Sequence, residues 1–262
     1  MPRPIRLASE TQIYHVMARG NRRTVIFHDN EDKKRFINIL LSKKKGDKFK
    51  LFAYCIMDNH YHLLIKEEKE NLATVMKMIN SSFATYYNNK YKGVGHVFQD
   101  RYRSEPVNND EYLLGVTRYI HNNPIKAGMV NRCQDYPWSS YQQYIYYKKD
   151  NELLDVSFIL KLYSDNLSNA INRFSDFTGS DNDDIYLDDY SEKEEEDRIR
   201  DYIAFISKEA QISIDELINN KNNISLRNEV IRDIKANSLL SISKLANILG
   251  ISRSIINKVQ SY

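Results

Sequence analysis

Apolar positions recur with two different periods along this chain, and the change of period marks out its elements. Ile13 to Met17 is a short β-rich run that ends in the turn-prone Arg19-Gly20-Asn21. From Asp32 to Lys43, the residues Phe36, Ile37, Ile39, Leu40 and Leu41 fall at helical spacing. Lys50 to Met57 and His60 to Ile65 then flank Asp58-Asn59, which predicts two strands joined by a tight hairpin. A second amphipathic helix is expected from Leu72 to Tyr87, with Leu72, Val75, Met76, Ile79 and Phe83 on one face. Val97 to Val107 predicts a last strand, and Asp110 to His121 a third helix closed by Pro124. The order β, α, β, β, α, β is the ferredoxin-like arrangement, so the fold class is read as α+β.

The pattern changes beyond residue 147. From about Asp176 to Asp201 the chain turns acidic, with few large apolar residues, and reads as an exposed linker or a solvated helix. Ile203 to Ile218 and Leu226 to Ile234 return to helical spacing. Ser241 to Val259 predicts one helix, a turn at Gly250, and a second helix with Ser252 as N-cap. That helix-turn-helix pattern puts Leu245, Ala246, Leu249, Ile251 and Ile256 inside, and leaves Ser252, Arg253, Ser254, Asn257 and Lys258 facing a DNA groove. A small helical bundle that binds no DNA would show the same periodicity. The expected organisation is a ferredoxin-like domain over 1–147, a helical and acidic linker region over 148–201, and a small all-α helix-turn-helix module over 202–262.

Composition narrows the function classes. No apolar stretch of the 262 residues approaches the roughly 20 needed to span a bilayer, and the start lacks the apolar core of a signal peptide, so a soluble, cytoplasmic protein with no membrane partner is expected. Cys55 and Cys133 form no CxxC pair and are read as buried small hydrophobes. The net charge of +3 hides an asymmetry. Residues 1–150 carry 25 Lys and Arg against 15 Asp and Glu, whereas residues 151–262 carry 13 against 20. The front half is suited to a polyanion, although a lysine-rich solvated surface would look alike.

His60 and His62 bring in chemistry. Side chains alternate along a strand, so these two share a face while Tyr61 and Leu63 point into the opposite layer. Two imidazoles on one face can share a metal, although such a pair also occurs without one. Mg²⁺ or Mn²⁺ would need oxygen ligands besides. Tyr119 and Asn123, four residues apart, would bring a phenol and an amide oxygen to one helix face, provided the helix reaches the residue before Pro124; that residue disfavours α geometry, so Asn123 falls at a frayed end. A phenol has an unperturbed pKa near roughly 10 and attacks phosphate poorly unless the phosphate is polarised and oriented. Of the other tyrosines, Tyr112 lies two turns before Tyr119, and Tyr61 faces away from the histidines.

Five ordered motifs carry a resemblance over roughly residues 1–145: Arg19 to Asn21 (RGN), HYH within DNHYHLLI, Gly95 to Ser104 (GHVFQDRYRS), Tyr119 to Val130 (YIHNNPIKAGMV) and Tyr136 to Tyr141 (YPWSSY). Together they resemble the transposase domain of the REP-associated tyrosine transposases, a branch of the HUH superfamily of single-strand DNA endonucleases. The resemblance implies a ferredoxin-like fold, a divalent metal held by His60 and His62, and Tyr119 as the nucleophile that forms a 5′-phosphotyrosine and leaves a free 3′-OH. Asn123 stands where related enzymes place a Gln ligand, one methylene shorter, and His121 is a possible substitute. The implied partner is single-stranded hairpin DNA from palindromic repeats. Arg19, Asn21, Arg22 and Arg23 are expected to meet phosphate or a short sequence beside the hairpin, and Arg101, Tyr102 and Arg103 to do the same. For these the bland alternative is a surface cation or, for Tyr102, a core aromatic. Trp138 is read as a packing anchor.

The expected function is therefore metal-dependent nicking and rejoining of single-stranded DNA in transposition or repeat mobilisation, with the C-terminal module adding double-stranded or hairpin-stem binding. The alternative is a non-catalytic sequence-specific DNA-binding protein or transcriptional regulator on the same scaffold.

Overall fold

The computed structural model describes residues 8–21, 24–99, 101–148, 151–180, 192–238, 240 and 242–259. Two compact units divide the chain, residues 8–187 and 188–262.

The first unit is built on four strands, β1 (Ile13–Arg19), β2 (Phe49–Ile56), β3 (His60–Glu67) and β4 (Arg103–Pro106), in the order β2-β3-β1-β4 with all neighbours antiparallel. Helix α1 (Asn30–Lys44) joins β1 to β2, α2 (Leu72–Tyr91) joins β3 to β4, and α3 (Asp110–Lys126) follows β4. The connection order and sheet order together are ferredoxin-like, as expected.

Strands β1, β2 and β3 are buried along most of their length on both sides, whereas β4 is half-buried, and the two sides of the sheet differ in chemistry. Tyr61, Leu63 and Ile65 of β3 are fully buried, and Tyr61 packs on Phe36 of α1 with ring centroids 4.5 Å apart. Their neighbours His60 and His62 point to the opposite face by the two-residue period. Asp29 and Asp32 form a capping box at the start of α1. The buried Asp32 carboxylate also accepts from Lys90, Tyr86 and Tyr91 of α2 and from the His28 backbone. Burial alone would raise its pKa; the donors from Lys90, Tyr91 and Tyr86 outweigh it and hold the group below the usual carboxylate range.

Three boundaries differ from the sequence expectation. The last strand covers only Arg103–Pro106 rather than Val97 to Val107, because residues 97–99 pair instead with the loop after β1: Asn21 N–H donates to Val97 O at 2.9 Å and Gln99 N–H to Arg19 O at 3.0 Å. Helix α3 does not stop before Pro124 but runs through it to Lys126. It ends in a Schellman motif, with Met129 N–H donating to Pro124 O, Gly128 N–H to Ile125 O, and Gly128 at φ +67°. Asn123 accordingly lies within the helix and not at a frayed end.

The third difference concerns the expected linker. Residues 151–180 of it form α5 (Val156–Lys161) and α6 (Leu167–Gly179), after the short α4 (Tyr141–Ile145). Leu154, Ile159, Leu160, Ala170 and Phe174 are buried in the first unit's core, and Phe174 stacks on Tyr144 at 4.5 Å. We expect Phe174→Ala to destabilise this unit by about 3–5 kcal/mol, read by urea unfolding. A change below about 1 kcal/mol would show that α6 is not part of that core.

Residues 136–140 cover the β2 edge, with Ile56 N–H donating to Trp138 O at 2.9 Å, Ser140 N–H to Tyr54 O at 2.9 Å and the Tyr136 hydroxyl to Ile56 O at 2.8 Å. Trp138 is partly buried and packed on the core. Cys55 and Cys133 are buried free thiols whose pKa values burial pushes up, that of Cys133 to about 11, so neither is a thiolate at neutral pH.

The second unit is all-helical: α7 (Glu192–Glu209), α8 (Ile214–Asn219), α9 (Ile224–Asn237), α10 (Ile242–Leu249) and α11 (Arg253–Lys258). The apolar pattern over 203–218 breaks at Gln211 (φ +55°), and α8 restarts with a Ser213/Glu216 capping box. Ile203, Leu217, Val230, Ile234, Leu245, Leu249 and Ile256 form its own core. Gly250 (φ +65°) makes the turn between α10 and α11, and Ser252 occupies the N-cap position without a side-chain cap bond. Ser252, Arg253, Ser254 and Lys258 are exposed and Asn257 is half-buried. No helix among the described residues is long and apolar enough to cross a membrane.

Candidate functional site

The site lies on the sheet face opposite α1 and α2. Antiparallel register puts Arg19 of β1 opposite His60, Met17 opposite His62, and Arg103 of β4 opposite Met17, so that these side chains share one face. His60 is 8 % exposed and His62 fully buried, with rings 5.1 Å apart and nearly perpendicular.

Both imidazoles are held through Nδ1. His60 Nδ1 lies 2.6 Å from the Asn59 side-chain oxygen, an acceptor, so Nδ1 carries the proton and Nε2 the lone pair. His62 Nδ1 lies 3.0 Å from Nε2 of His15, a residue the sequence reading did not single out. His15 is fully buried on β1, two residues from Met17 and hence on the same face. Nothing in the sequence pairs it with His62, because that needs the strand register.

Tyr119 of α3 closes over this face. Its ring meets His62 edge-on at 5.6 Å and His15 at 5.7 Å between centroids, and it is 3 % exposed. Asn123, one turn on, is 7 % exposed and donates from Nδ2 to Tyr119 O at 3.5 Å, which leaves its side-chain oxygen as the atom that would ligate. Lys126, seven residues after Tyr119, carries its ammonium 4.8 Å from the Tyr119 ring centre. The sequence reading also passed over this lysine, although the spacing of seven places it on the same helix face.

His121 points elsewhere. It is fully buried, bonded through Nε2 to Ser140 Oγ at 2.7 Å and enclosed by the rings of Tyr141, Tyr144 and Phe174. Burial lowers its pKa to about 3, so it is a neutral core residue and not a substitute for Asn123.

The donor set suits a divalent ion. Among the described residues no group of three or more His, Cys, Asp or Glu stands together to hold a metal. Two nitrogens with oxygen and water in the remaining positions is a set Mn²⁺ or Mg²⁺ accepts.

The loop after β1 is latched to the turn that carries His60. Gly20 N–H donates to Asn59 O at 2.8 Å, and Ile26 and Phe27 N–H both donate to Asp58 O at 2.9 Å. A Cβ on Gly20 would sit 2.3 Å from Thr24 O and 2.7 Å from the Ile26 side chain, so only glycine permits this close return of the chain. Asn21 is exposed on that loop and Arg19 half-buried at its foot; Arg22 and Arg23 lie outside the described residues. Arg101 is exposed and Arg103 half-buried. Tyr102, read as a possible DNA contact, is 7 % exposed within the hydrophobic core, the placement its bland alternative expected.

Residues 8–123 match the family Transposase IS200 like. A Haemophilus influenzae protein named as a REP-associated tyrosine transposase is 28 % identical over an alignment of 107 residues that covers 36 % of this chain and 60 % of the relative. The chain thus spans about 60 % of that relative's length. A solved structure of a REP-associated tyrosine transposase bound to a REP hairpin is similar with a TM-score of 0.47 and 19 % identity, covering 60 % of this chain and 93 % of the other.

Proposed function

We propose that the first unit, whose residues 8–123 match the IS200-like transposases, is a metal-dependent single-stranded DNA endonuclease and strand transferase that acts through Tyr119. The observation that carries this reading is the Tyr119 ring packed edge-on against His62 at 5.6 Å, above a histidine pair sharing one sheet face.

His60 and His62 would hold the ion, with Asn123 supplying an oxygen. A bound Mg²⁺ or Mn²⁺ would polarise the scissile phosphate and offset the charge that builds on it. The chain's own residues do the rest. Helix α3 orients the phenol, and its oxygen forms a bond to phosphorus while the bond from phosphorus to the 3′ oxygen breaks. The departing oxygen takes a proton and becomes a 3′-OH, and the phenol's proton passes to solvent or a nearby base. The 5′-phosphotyrosine stores the energy of the broken phosphodiester, so attack by another 3′-OH reseals DNA without a nucleotide cofactor. Lys126 adds positive charge beside the Tyr119 ring, where an incoming phosphate would be drawn.

Substrate recognition follows from charge and the latched loop. Arg19 and Asn21, with Arg22, Arg23, Arg101 and Arg103, would meet the backbone of a hairpin and the unpaired nucleotides beside it. The resemblance to REP-associated transposases supports palindromic repeats as that hairpin's source. The test is to incubate the protein with labelled single-stranded hairpin DNA and Mg²⁺ or Mn²⁺, then seek an adduct that survives denaturation. Binding without an adduct under either metal would favour the second reading, a regulator that binds DNA and does not cut it.

The second unit would add duplex binding through α11, whose exposed Arg253 and Lys258 suit phosphate. Arg253→Ala and Lys258→Ala should each weaken duplex binding and reduce the slope of log affinity against log salt by about 1, measured by fluorescence anisotropy at several salt concentrations. Unchanged affinity and slope in the double variant would remove this role.

A further inference from the structure

We propose that His15 is a positioning residue that fixes the tautomer and orientation of His62. The inference rests on the metal-dependent reading above and concerns a residue which that reading leaves without a role.

His15 is fully buried at the middle of β1, flanked by β3 and β4. Its Nε2 stands 3.0 Å from His62 Nδ1, and the two rings are stacked with centroids 5.2 Å apart and planes inclined by 29°. A hydrogen bond between two imidazole nitrogens needs one donor and one acceptor. Two arrangements of neutral rings satisfy it. In the first, His62 carries its proton on Nδ1 and donates, so its Nε2 holds a lone pair and His15 accepts through Nε2. In the second, His15 donates from Nε2, and the His62 proton sits on Nε2 where it blocks ligation. Only the first suits a metal ligand, and it requires His15 to carry its own proton on Nδ1.

The neighbouring histidine supports this assignment. Asn59 accepts from His60 Nδ1 at 2.6 Å, an arrangement that leaves the His60 lone pair on Nε2. His15 does for His62 what Asn59 does for His60, and both bonds would present Nε2 outward. A ligating histidine commonly donates its other N–H to a carboxylate, carbonyl or water, and removing such a partner typically costs 10–100-fold in metal affinity. Here a second imidazole takes that place. Its ring also contacts Tyr119 at 5.7 Å, so a shift of His15 would disturb the phenol and the ligand together.

The experiment measures Mn²⁺ binding to the full chain by calorimetry for wild type, His62→Ala, His15→Phe and His15→Gln, with circular dichroism to check folding. The expected result is binding roughly 10–100-fold weaker in His15→Phe, and recovery of most of that loss in His15→Gln, whose amide oxygen can accept at the position of Nε2. Long-range ¹H–¹⁵N spectra of the metal-free wild type should show His62 protonated on Nδ1, a readout that does not depend on any variant folding. Wild type and His62→Ala binding Mn²⁺ equally would sink the metal reading itself. Loss in His62→Ala with His15→Phe equal to wild type, His15→Gln as weak as His15→Phe, or His62 protonated on Nε2, would each overturn the role of His15.

Discussion

Tyr119→Phe should abolish the covalent protein–DNA adduct, a loss of about 10³-fold or more, while hairpin affinity changes far less. The substitution keeps the ring and its edge contacts to His15 and His62, and it keeps the surface that Lys126 covers. It removes only the oxygen that would join phosphorus. Neither Tyr61 nor Tyr112 is placed to take over. Tyr61 is fully buried on the other side of the sheet, bonded to Asn80, and Tyr112 is engaged with Glu105 two turns earlier on α3. A denaturing gel with labelled hairpin DNA reads the outcome. Persistence of the adduct in Tyr119→Phe would mean another nucleophile acts, and the role given to α3 would fall.

His62→Ala should reduce adduct formation by about 10³-fold, and added Mn²⁺ should not restore it. The imidazole is fully buried and its Nδ1 is bonded to His15. Deleting it would therefore remove a proposed ligand and leave the His15 nitrogen without this partner, at a stability cost of about 1–3 kcal/mol. Thermal unfolding of the variant separates that cost from the loss of chemistry. His60→Ala leaves the His62–His15 pair intact, so its effect on stability should be smaller. Equal adduct yields with Mn²⁺ and with EDTA in the wild type would mark the pair as structural.

The elements of the first unit were legible because their apolar periods are clean: the two-residue alternation of β3 alone separates His60 and His62 from Tyr61 and Leu63. What escaped was of three kinds. The end of α3 was misjudged because Pro124 was read as a stop; proline removes one N–H, and the true stop is the Ala127-Gly128-Met129 cap, a signal present in the sequence and underweighted. The region after residue 147 looked like linker because its apolar residues are spread among acids and asparagines, yet Phe174 and Ile159 belong to the first core. His15 escaped because its meaning depends on register: on β1 alone it is one more inward residue, and only alignment of Met17 with His62 brings it to the face that carries His60 and His62. Asn123 illustrates the reverse case: spacing put it on one helix face with Tyr119, while the rule about residues before proline argued against the helical setting it has.

The alternation along β3 has a consequence for how this protein can fail. A one-residue slip of β3 against its neighbours would turn His60 and His62 toward α1 and bring Tyr61, Leu63 and Ile65 to the opposite face. Buried imidazoles would then lack partners, and the aromatic packing of Tyr61 on Phe36 would be lost. A chain paired in the wrong register is thus barred from persisting as a stable copy, because one error removes both the histidine pair and the core that supports it. Misassembled molecules should be cleared as unfolded protein, so the folded population is self-sorted for a correctly assembled site.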